Sequence, residues 1–334
     1  MSVSFLHSGR DLTGGEWAAA IADELNLVER TLQSAIDSDI ATAYELSNHL
    51  LTAGGKRIRP SLLILSALAC EDCDRQRMAY LAASTELVHM ASLVHDDVID
   101  ETRERRGSST AGERYGNKIS VLGGDYLLSK AFNLLCTHGS LEIMGALSAT
   151  AVAMTESEIL QASGEGDLAV WEADYWRIIH GKTADFMGSC CECGAMLAGA
   201  DAPVRAALRE YGTQLGLAFQ ITDDVLDLTG NREITGKEIG TDLLHGKFTL
   251  PVLMALRSKG SGPYLRELLS KPTLTMSDIE QVSAIIIDSG GLQSAKSAAS
   301  DCAQAALKHL SAIPQSVYKD ALTALAAFVI SRHA

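Results

Sequence analysis

The stretch Leu93-Val94-His95-Asp96-Asp97-Val98-Ile99-Asp100 returns far downstream as Gln220-Ile221-Thr222-Asp223-Asp224-Val225-Leu226-Asp227. On an α-helix, residues i, i+1 and i+4 fall within about a 100° arc, so each copy sets three carboxylates on one helical face. Apolar residues lead into each triad, which puts the carboxylates at the margin of a core. Three of them there repel one another and are costly to desolvate without a partner. A hard divalent cation meets that need, since Mg²⁺ favours a few carboxylates, several waters and phosphate oxygens. Two such faces pointing at each other would hold a diphosphate between metal ions. That requirement narrows the fold to one that sets two helical walls around a shared cleft.

The rest of the sequence agrees with helices. Apolar residues recur with helical spacing over residues 17–37, 41–51, 60–69, 77–101, 118–137, 141–161, 172–197, 204–228 and 250–258, with several more helices towards the C-terminus. No run alternates convincingly as a strand would. Gly54-Gly55 ends one helix, and Gly123-Gly124 marks a close helix contact or a bend. Residues 107–116 and 230–246 read as polar loops. The chain has six prolines, 47% apolar residues and 5% aromatic ones, so an aliphatic core can form around long helices. The expected fold class is all-α, a single domain across residues 1–334 with residues 1–15 a flexible N-terminal segment.

Charge and composition exclude several roles. With 42 acidic residues against 28 Lys and Arg, the formal charge is −14, which argues against nucleic acid as a partner. Residues 1–15 lack the apolar core of a secretory signal. No stretch of about 18 uncharged apolar residues occurs, so no membrane span is expected. The seven cysteines are expected to be reduced thiols in a cytoplasmic protein. Cys190-Cys191-x-Cys193 and Cys70-x-x-Cys73 lack the paired four-ligand spacing of a zinc site and suit small buried residues.

Cations follow both acidic motifs. Gly54-Gly55-Lys56-Arg57-Ile58-Arg59-Pro60 puts three positive charges where the backbone can approach a ligand closely. Arg103, Arg105 and Arg106 come just after the first motif. Lys182-Thr183 lies in a helix, and Lys237 and Lys247 lie in and after the loop that follows the second motif. With these elements and His89, Gly124-Asp125-Tyr126, Gly181-Lys182-Thr183-Ala184 and Gly246-Lys247-Phe248-Thr249-Leu250-Pro251 in this order, residues 24–332 resemble a trans-isoprenyl diphosphate synthase of the polyprenyl type.

The resemblance implies a bundle of antiparallel helices around a central cavity, with the acidic motifs on opposite walls. It implies that Asp96, Asp97, Asp100, Asp223, Asp224 and Asp227 hold about three Mg²⁺ on an allylic diphosphate. Arg105, Lys182, Lys237 and Lys247 would contact that diphosphate. Lys56, Arg59, His89 and Arg106 would hold isopentenyl diphosphate. Thr183 and Gln220, beside Lys182, would line the reacting centre. The family often has Pro where this chain has Glu238, a departure that touches none of these groups. A homodimer is implied, for which the small and apolar residues of 118–135 are suitable, and loose membrane association through the product.

The chemistry suits the residues in its own right. Loss of an allylic diphosphate leaves a delocalised cation and an anionic leaving group, which metals and fixed cations stabilise. No enzyme nucleophile is required. The product should run along the helix that carries the first motif, where Ser92, Val88 and Thr85 share a face with Asp96, and Ala91 and Ser84 lie alongside. Short-chain members of the family place a large residue about one turn before the motif. Ala91 and Ser92 leave that path open, which predicts a product of about C30–C50 by this face argument. Phe132 is the candidate floor. The competing readings are a C20 geranylgeranyl diphosphate synthase, a phosphohydrolase built on His95-Asp96, a terpene cyclase and a non-catalytic synthase subunit. Trp171, Tyr175 and Trp176 read as packing residues, and His95 has no assigned role.

Overall fold

The computed structural model describes residues 16–71, 73–105, 107–229, 240–271 and 273–332. In chain order the helices are α1 (Glu16–Ala19), α2 (Ala22–Ala35), α3 (Ala41–Thr52), α4 (Ile58–Cys70) and α5 (Arg75–Ile99). A hairpin of β1 (Glu104–Arg105) and β2 (Ser108–Ser109) follows. Then come α6 (Ala111–Tyr115), α7 (Asn117–His138), α8 (Leu141–Ser163), α9 (Leu168–Ile179), a π-helical turn at His180–Ala184, α10 (Asp185–Leu197) and α11 (Ala202–Thr229). The chain continues with α12 (Thr241–Leu244), α13 (Leu250–Leu256), α14 (Gly262–Leu269), α15 (Met276–Asp288), α16 (Gly291–His309), a 3-10 turn at Leu310–Ala312 and α17 (Val317–Ser331).

The fold is all-α, as expected. Helix α5 packs most extensively on α7, while α10 lies between α4 and α11, and α11 also packs on α16. Two apolar clusters result. The first gathers α2, α4, α5, α7, α10, α17 and the first half of α11, through Leu208, Tyr211 and Leu215. The second gathers α9, α13 to α16 and the last turns of α11, through Ile221, Val225 and Leu228. Helix α11 therefore spans both clusters and carries the second acidic motif into the second one.

Local chemistry explains the boundaries. The Asp74 carboxylate caps α5 by accepting from the backbone of Gln76 and Arg77 at 2.9 and 3.1 Å. The helix closes at the first acidic motif, where Glu101 takes a left-handed φ of 51°. Asp100 is thus the C-cap of α5, whereas the second motif lies wholly inside α11. Gly123 and Gly124 mark a close helix contact, and α7 continues unbroken through them. A Cβ at Gly123 would overlap Leu46, and one at Gly124 would overlap the His95 imidazole.

Four expectations need correction. Residues 17–37 are not one helix: the chain turns at Ile21, which lets Trp17 reach Phe328 of α17 at 6.2 Å while Ile21 stays in the core. Residues 107–116 hold β2 and α6, capped by Thr110, segments too short to show a period. Residues 172–197 are interrupted by the π-helical turn, and α12 forms within the expected loop 230–246.

Candidate active site

Each acidic triad presents its members unequally. In the first, Asp97 is 4% exposed and accepts from Arg105 Nε at 2.7 Å. Arg105 comes from the hairpin that the chain forms just after α5, so the turn at Glu101 returns a cation onto the motif. Asp100 accepts from Lys247 Nζ at 2.9 and 3.0 Å. Lys247 follows the second motif in sequence, so this pair joins the two acidic walls. Burial pushes Asp96 up to about 6, Lys182 and Arg105 draw it down, and Glu158 and Asp100 add repulsion.

In the second triad, Asp224 is 3% exposed. Its Oδ2 accepts from the Tyr175 hydroxyl at 2.6 Å and its Oδ1 from Gln220 Nε2 at 3.1 Å. Burial pushes Asp224 up to about 8, with repulsion from Asp242, against the pull of those two hydrogen bonds. Asp223 accepts from Arg332 at 2.6 Å, and Arg332 also covers the Phe219 ring at 4.0 Å. The Asp227 carboxylate accepts from the backbone of Asp242 at 3.2 Å, at the start of α12.

Between the walls, the π-helical turn carries Lys182 and Thr183. Thr183 donates to Gln220 Oε1 at 2.8 Å, so two residues expected at the reacting centre do meet. Lys182 pairs with Glu158 at 2.6 Å and lies 3.4 Å from Gln161 Oε1. Burial works against its charge, but Asp96 and Glu158 outweigh burial and raise its pKa above the ordinary lysine value.

The basic segment before α4 divides its work. Arg57 is buried and pairs with Glu29 at 2.5 Å and Glu86 at 2.8 Å, so its charge is used inside the protein. The Lys56 ammonium lies 5.0 Å from the Phe328 ring and the Arg59 guanidinium 4.9 Å from Phe186. Arg59 Nε is buried without a hydrogen-bond partner among the described residues. Burial lowers the pKa of Arg59, while the charges of Glu86, Asp223 and Asp96 act to raise it, which places both acidic motifs in its field. His89 lines a cleft with Gly54, Asp97, Arg105 and Thr110. Arg106 and Lys237 lie outside the described residues.

The residues expected to flank the product sit on α5 as the helical face requires. Val88 and Ala91 are buried. Ser84, Thr85 and Ser92 turn their hydroxyls onto the carbonyls of Leu81, Ala82 and His89 at 2.6, 2.8 and 2.9 Å. Those hydroxyls are satisfied within the helix, so the face behaves as apolar. Phe132 is half-buried on α7 against the first cluster.

The donors suit a hard divalent cation, being carboxylates with Asp96 held at a raised pKa among other acids. Among the described residues no three acidic, histidine or cysteine side chains already form a metal-ligand group. Arg105, Lys247 and Arg332 instead sit on Asp97, Asp100 and Asp223. Cys190, Cys191 and Cys193 are buried thiols whose pKa burial raises, consistent with core packing.

Four contributors were not expected from sequence: Tyr175, Glu158, Gln161 and Arg332. Each meets its partner across a long stretch of sequence, so no local spacing signals it.

Residues 40–286 match the family described as polyprenyl synthetase. An all-trans-nonaprenyl-diphosphate synthase (geranyl-diphosphate specific) of Rhodobacter capsulatus is 36% identical over 316 residues, covering 94% of this chain and 96% of that protein. The octaprenyl diphosphate synthase of Haemophilus influenzae is 34% identical over 327 residues, covering 97% and 99%. A solved polyprenyl synthase from Caulobacter crescentus, complexed with calcium and isoprenyl diphosphate, superposes with a TM-score of 0.90 at 36% identity, covering 95% and 97%. Sequence likeness along nearly the whole chain and a shared helical architecture lead to one conclusion: the chain belongs to the polyprenyl synthetase family, the trans-isoprenyl diphosphate synthases.

Proposed function

We propose that this protein is a prenyltransferase that condenses isopentenyl diphosphate with an allylic diphosphate and builds a long all-trans polyprenyl diphosphate. The observation that carries the reading is the pairing of Lys247, from the segment after the second acidic motif, with Asp100 of the first. Bound Mg²⁺, about three ions, would neutralise the charge that develops on the departing diphosphate. Asp96, Asp100, Asp223 and Asp227 would hold it, with the buried Asp97 and Asp224 behind them. Arg105, Lys182, Lys237 and Lys247 then grip the allylic diphosphate. Lys56, Arg59, His89 and Arg106 hold the diphosphate of isopentenyl diphosphate.

The allylic C–O bond breaks with its electron pair on the diphosphate oxygen. The isopentenyl double bond supplies the pair for the new C–C bond, and a proton leaves to the released diphosphate. Thr183 and Gln220 face the cationic carbon. Ala91 and Ser92 put only small side chains before the first motif, and the names of the relatives, octaprenyl and nonaprenyl diphosphate synthases, favour a long product over C20. Val121 and Leu122 on α7 and Val152 and Ile159 on α8 are exposed apolar side chains that support a homodimer. Among the described residues no helix is long and apolar enough to cross a membrane, so any membrane association rests on the product.

Incubation with Mg²⁺, farnesyl diphosphate and labelled isopentenyl diphosphate, with mass spectrometry of the products, tests the reading. A ladder ending at or above about C30 is expected from the small side chains Ala91 and Ser92 before the first motif. Termination at C20 keeps the chemistry and removes the long-chain assignment. No incorporation beside an active control enzyme rejects the synthase.

A further inference from the structure

Tyr175 reads from sequence as a packing residue, yet its ring and its hydroxyl do different things. The ring is 1% exposed in the second apolar cluster and meets Trp176 edge-on at 5.5 Å. A phenylalanine would pack there equally well. The hydroxyl reaches out of that cluster to Asp224 Oδ2 at 2.6 Å. A buried hydroxyl without an acceptor is costly, and this one has a carboxyl oxygen.

The consequence passes along a chain of hydrogen bonds whose direction is fixed. Asp224 Oδ1 accepts from Gln220 Nε2 at 3.1 Å. A primary amide has one donor end and one acceptor end. With Nε2 held by the carboxylate, Gln220 Oε1 points the other way and accepts from Thr183 Oγ1 at 2.8 Å. A hydroxyl carries one proton. That of Thr183 is committed to Gln220, so the remainder of its oxygen offers only lone pairs.

Resting on the prenyltransferase reading, we infer that Tyr175 is a positioning residue: it fixes Asp224, which orients the Gln220 amide, which turns the Thr183 lone pairs towards the carbon that becomes cationic. The arrangement acts before substrate arrives, so no reorientation is needed as charge develops. It also separates the work within the second motif. Asp224 serves the organic half of the substrate, while Asp223 and Asp227 serve the diphosphate half.

The test uses Tyr175→Phe, Thr183→Val and the double variant in steady-state kinetics, with ligand-free protein labelled only at glutamine nitrogen as a second readout. Tyr175→Phe should lower kcat about tenfold, in line with loss of an outer hydrogen-bond partner. The KM for isopentenyl diphosphate should move less than about twofold, because binding and orientation are separate terms. The double variant should be no slower than Thr183→Val alone, since both changes cut one chain. The Gln220 side-chain amide signal, identified by its loss in Gln220→Met, should shift in Tyr175→Phe while those of the other glutamines stay in place. Additive losses in the cycle, an unmoved Gln220 signal, or a Tyr175→Phe protein that does not fold overturns the inference. A wild-type protein that incorporates no isopentenyl diphosphate rejects the enzymatic reading instead. The glutamine signals then still decide whether Tyr175 orients Gln220.

Discussion

Asp97 and Asp224 hold the same place in two nearly identical motifs, and both are buried, yet they are answered in opposite ways. Asp97 meets a full positive charge, Arg105 at 2.7 Å. Asp224 meets two neutral donors, Tyr175 and Gln220. A charged partner on a hairpin can exchange one anion for another, so in the prenyltransferase reading the first wall would change its pairing when a diphosphate arrives. Neutral donors on two packed helices fix direction, so the second wall is built to keep its geometry. The same five-residue pattern therefore carries a charged pair on one side and neutral donors on the other.

The largest effect should come from cutting these two answers in the same way. Asp97→Asn strips Arg105 of its counter-charge and should lower kcat about 10²–10³-fold, the scale of losing one electrostatic partner of a transition state. Asp224→Asn keeps an acceptor for Gln220 and should cost about tenfold. Steady-state kinetics on both variants decides the matter, and equal losses would erase the distinction between the walls.

Product length sharpens the contrast next. Four residues before Asp96 stands Ser92, and four before Asp223 stands Phe219, already covered by Arg332. Ala91→Phe should move the end of the ladder to about C20 and strain the core by about 1–3 kcal/mol, the range for overpacking. Phe219→Ala should leave the ladder where it is and weaken the hold of Arg332 on Asp223. Mass spectrometry of the products reads both, and a ladder that moves with Phe219 would reverse the assignment of the tunnel wall.

A smaller difference is expected from glycines. A Cβ at Gly216 of α11 would overlap the Ala184 backbone, whereas one at Gly124 of α7 meets the movable ring of His95. Denaturant unfolding should show Gly216→Ala costing about 1–3 kcal/mol and Gly124→Ala less.

The smallest effect is in pH dependence. The folded pKa of Asp96 is about 6 and that of Asp224 about 8, both above the unfolded value of about 3.9. Folded protein therefore keeps protons that unfolded chain has released. The contribution of these groups is complete below about pH 4 and lost as pH climbs through 6 and then 8. Without divalent cation, the unfolding temperature should fall by about 2–4 °C between pH 6 and 8. Asp224→Asn should flatten that descent. A rise over the same window would mean that Asp224 is already ionised in the fold.

Much of this was legible in the chain itself. Helices α3, α4, α5, α7, α8 and α11 fall close to their apolar periods because each buries a stripe long enough to show one. The acidic triads and the Lys182-Thr183 pair were legible because their spacing is local. Tyr175, Glu158 and Arg332 were not, because each acts across a long separation: Tyr175 to Asp224, Glu158 to Lys182, Arg332 to Asp223. An aromatic residue on an apolar stripe gives no local hint that its hydroxyl has a distant acceptor. Arg57 failed in the other direction. It sits among cations that suit a ligand, yet Glu29 and Glu86, from two other helices, hold it.

The π-helical turn at His180–Ala184 has a consequence for anyone who aligns or redesigns this protein. One added residue in a helix advances the phase of everything downstream by about 100°. Trp171 and Tyr175 before it and Phe186 and Cys190 after it therefore obey two different angular rulers. A helical wheel drawn through the junction will misplace one half. A single-residue deletion there would rotate α10 against α4 and α11 while leaving every side chain chemically intact, a fault of timing along the helix with no change of vocabulary.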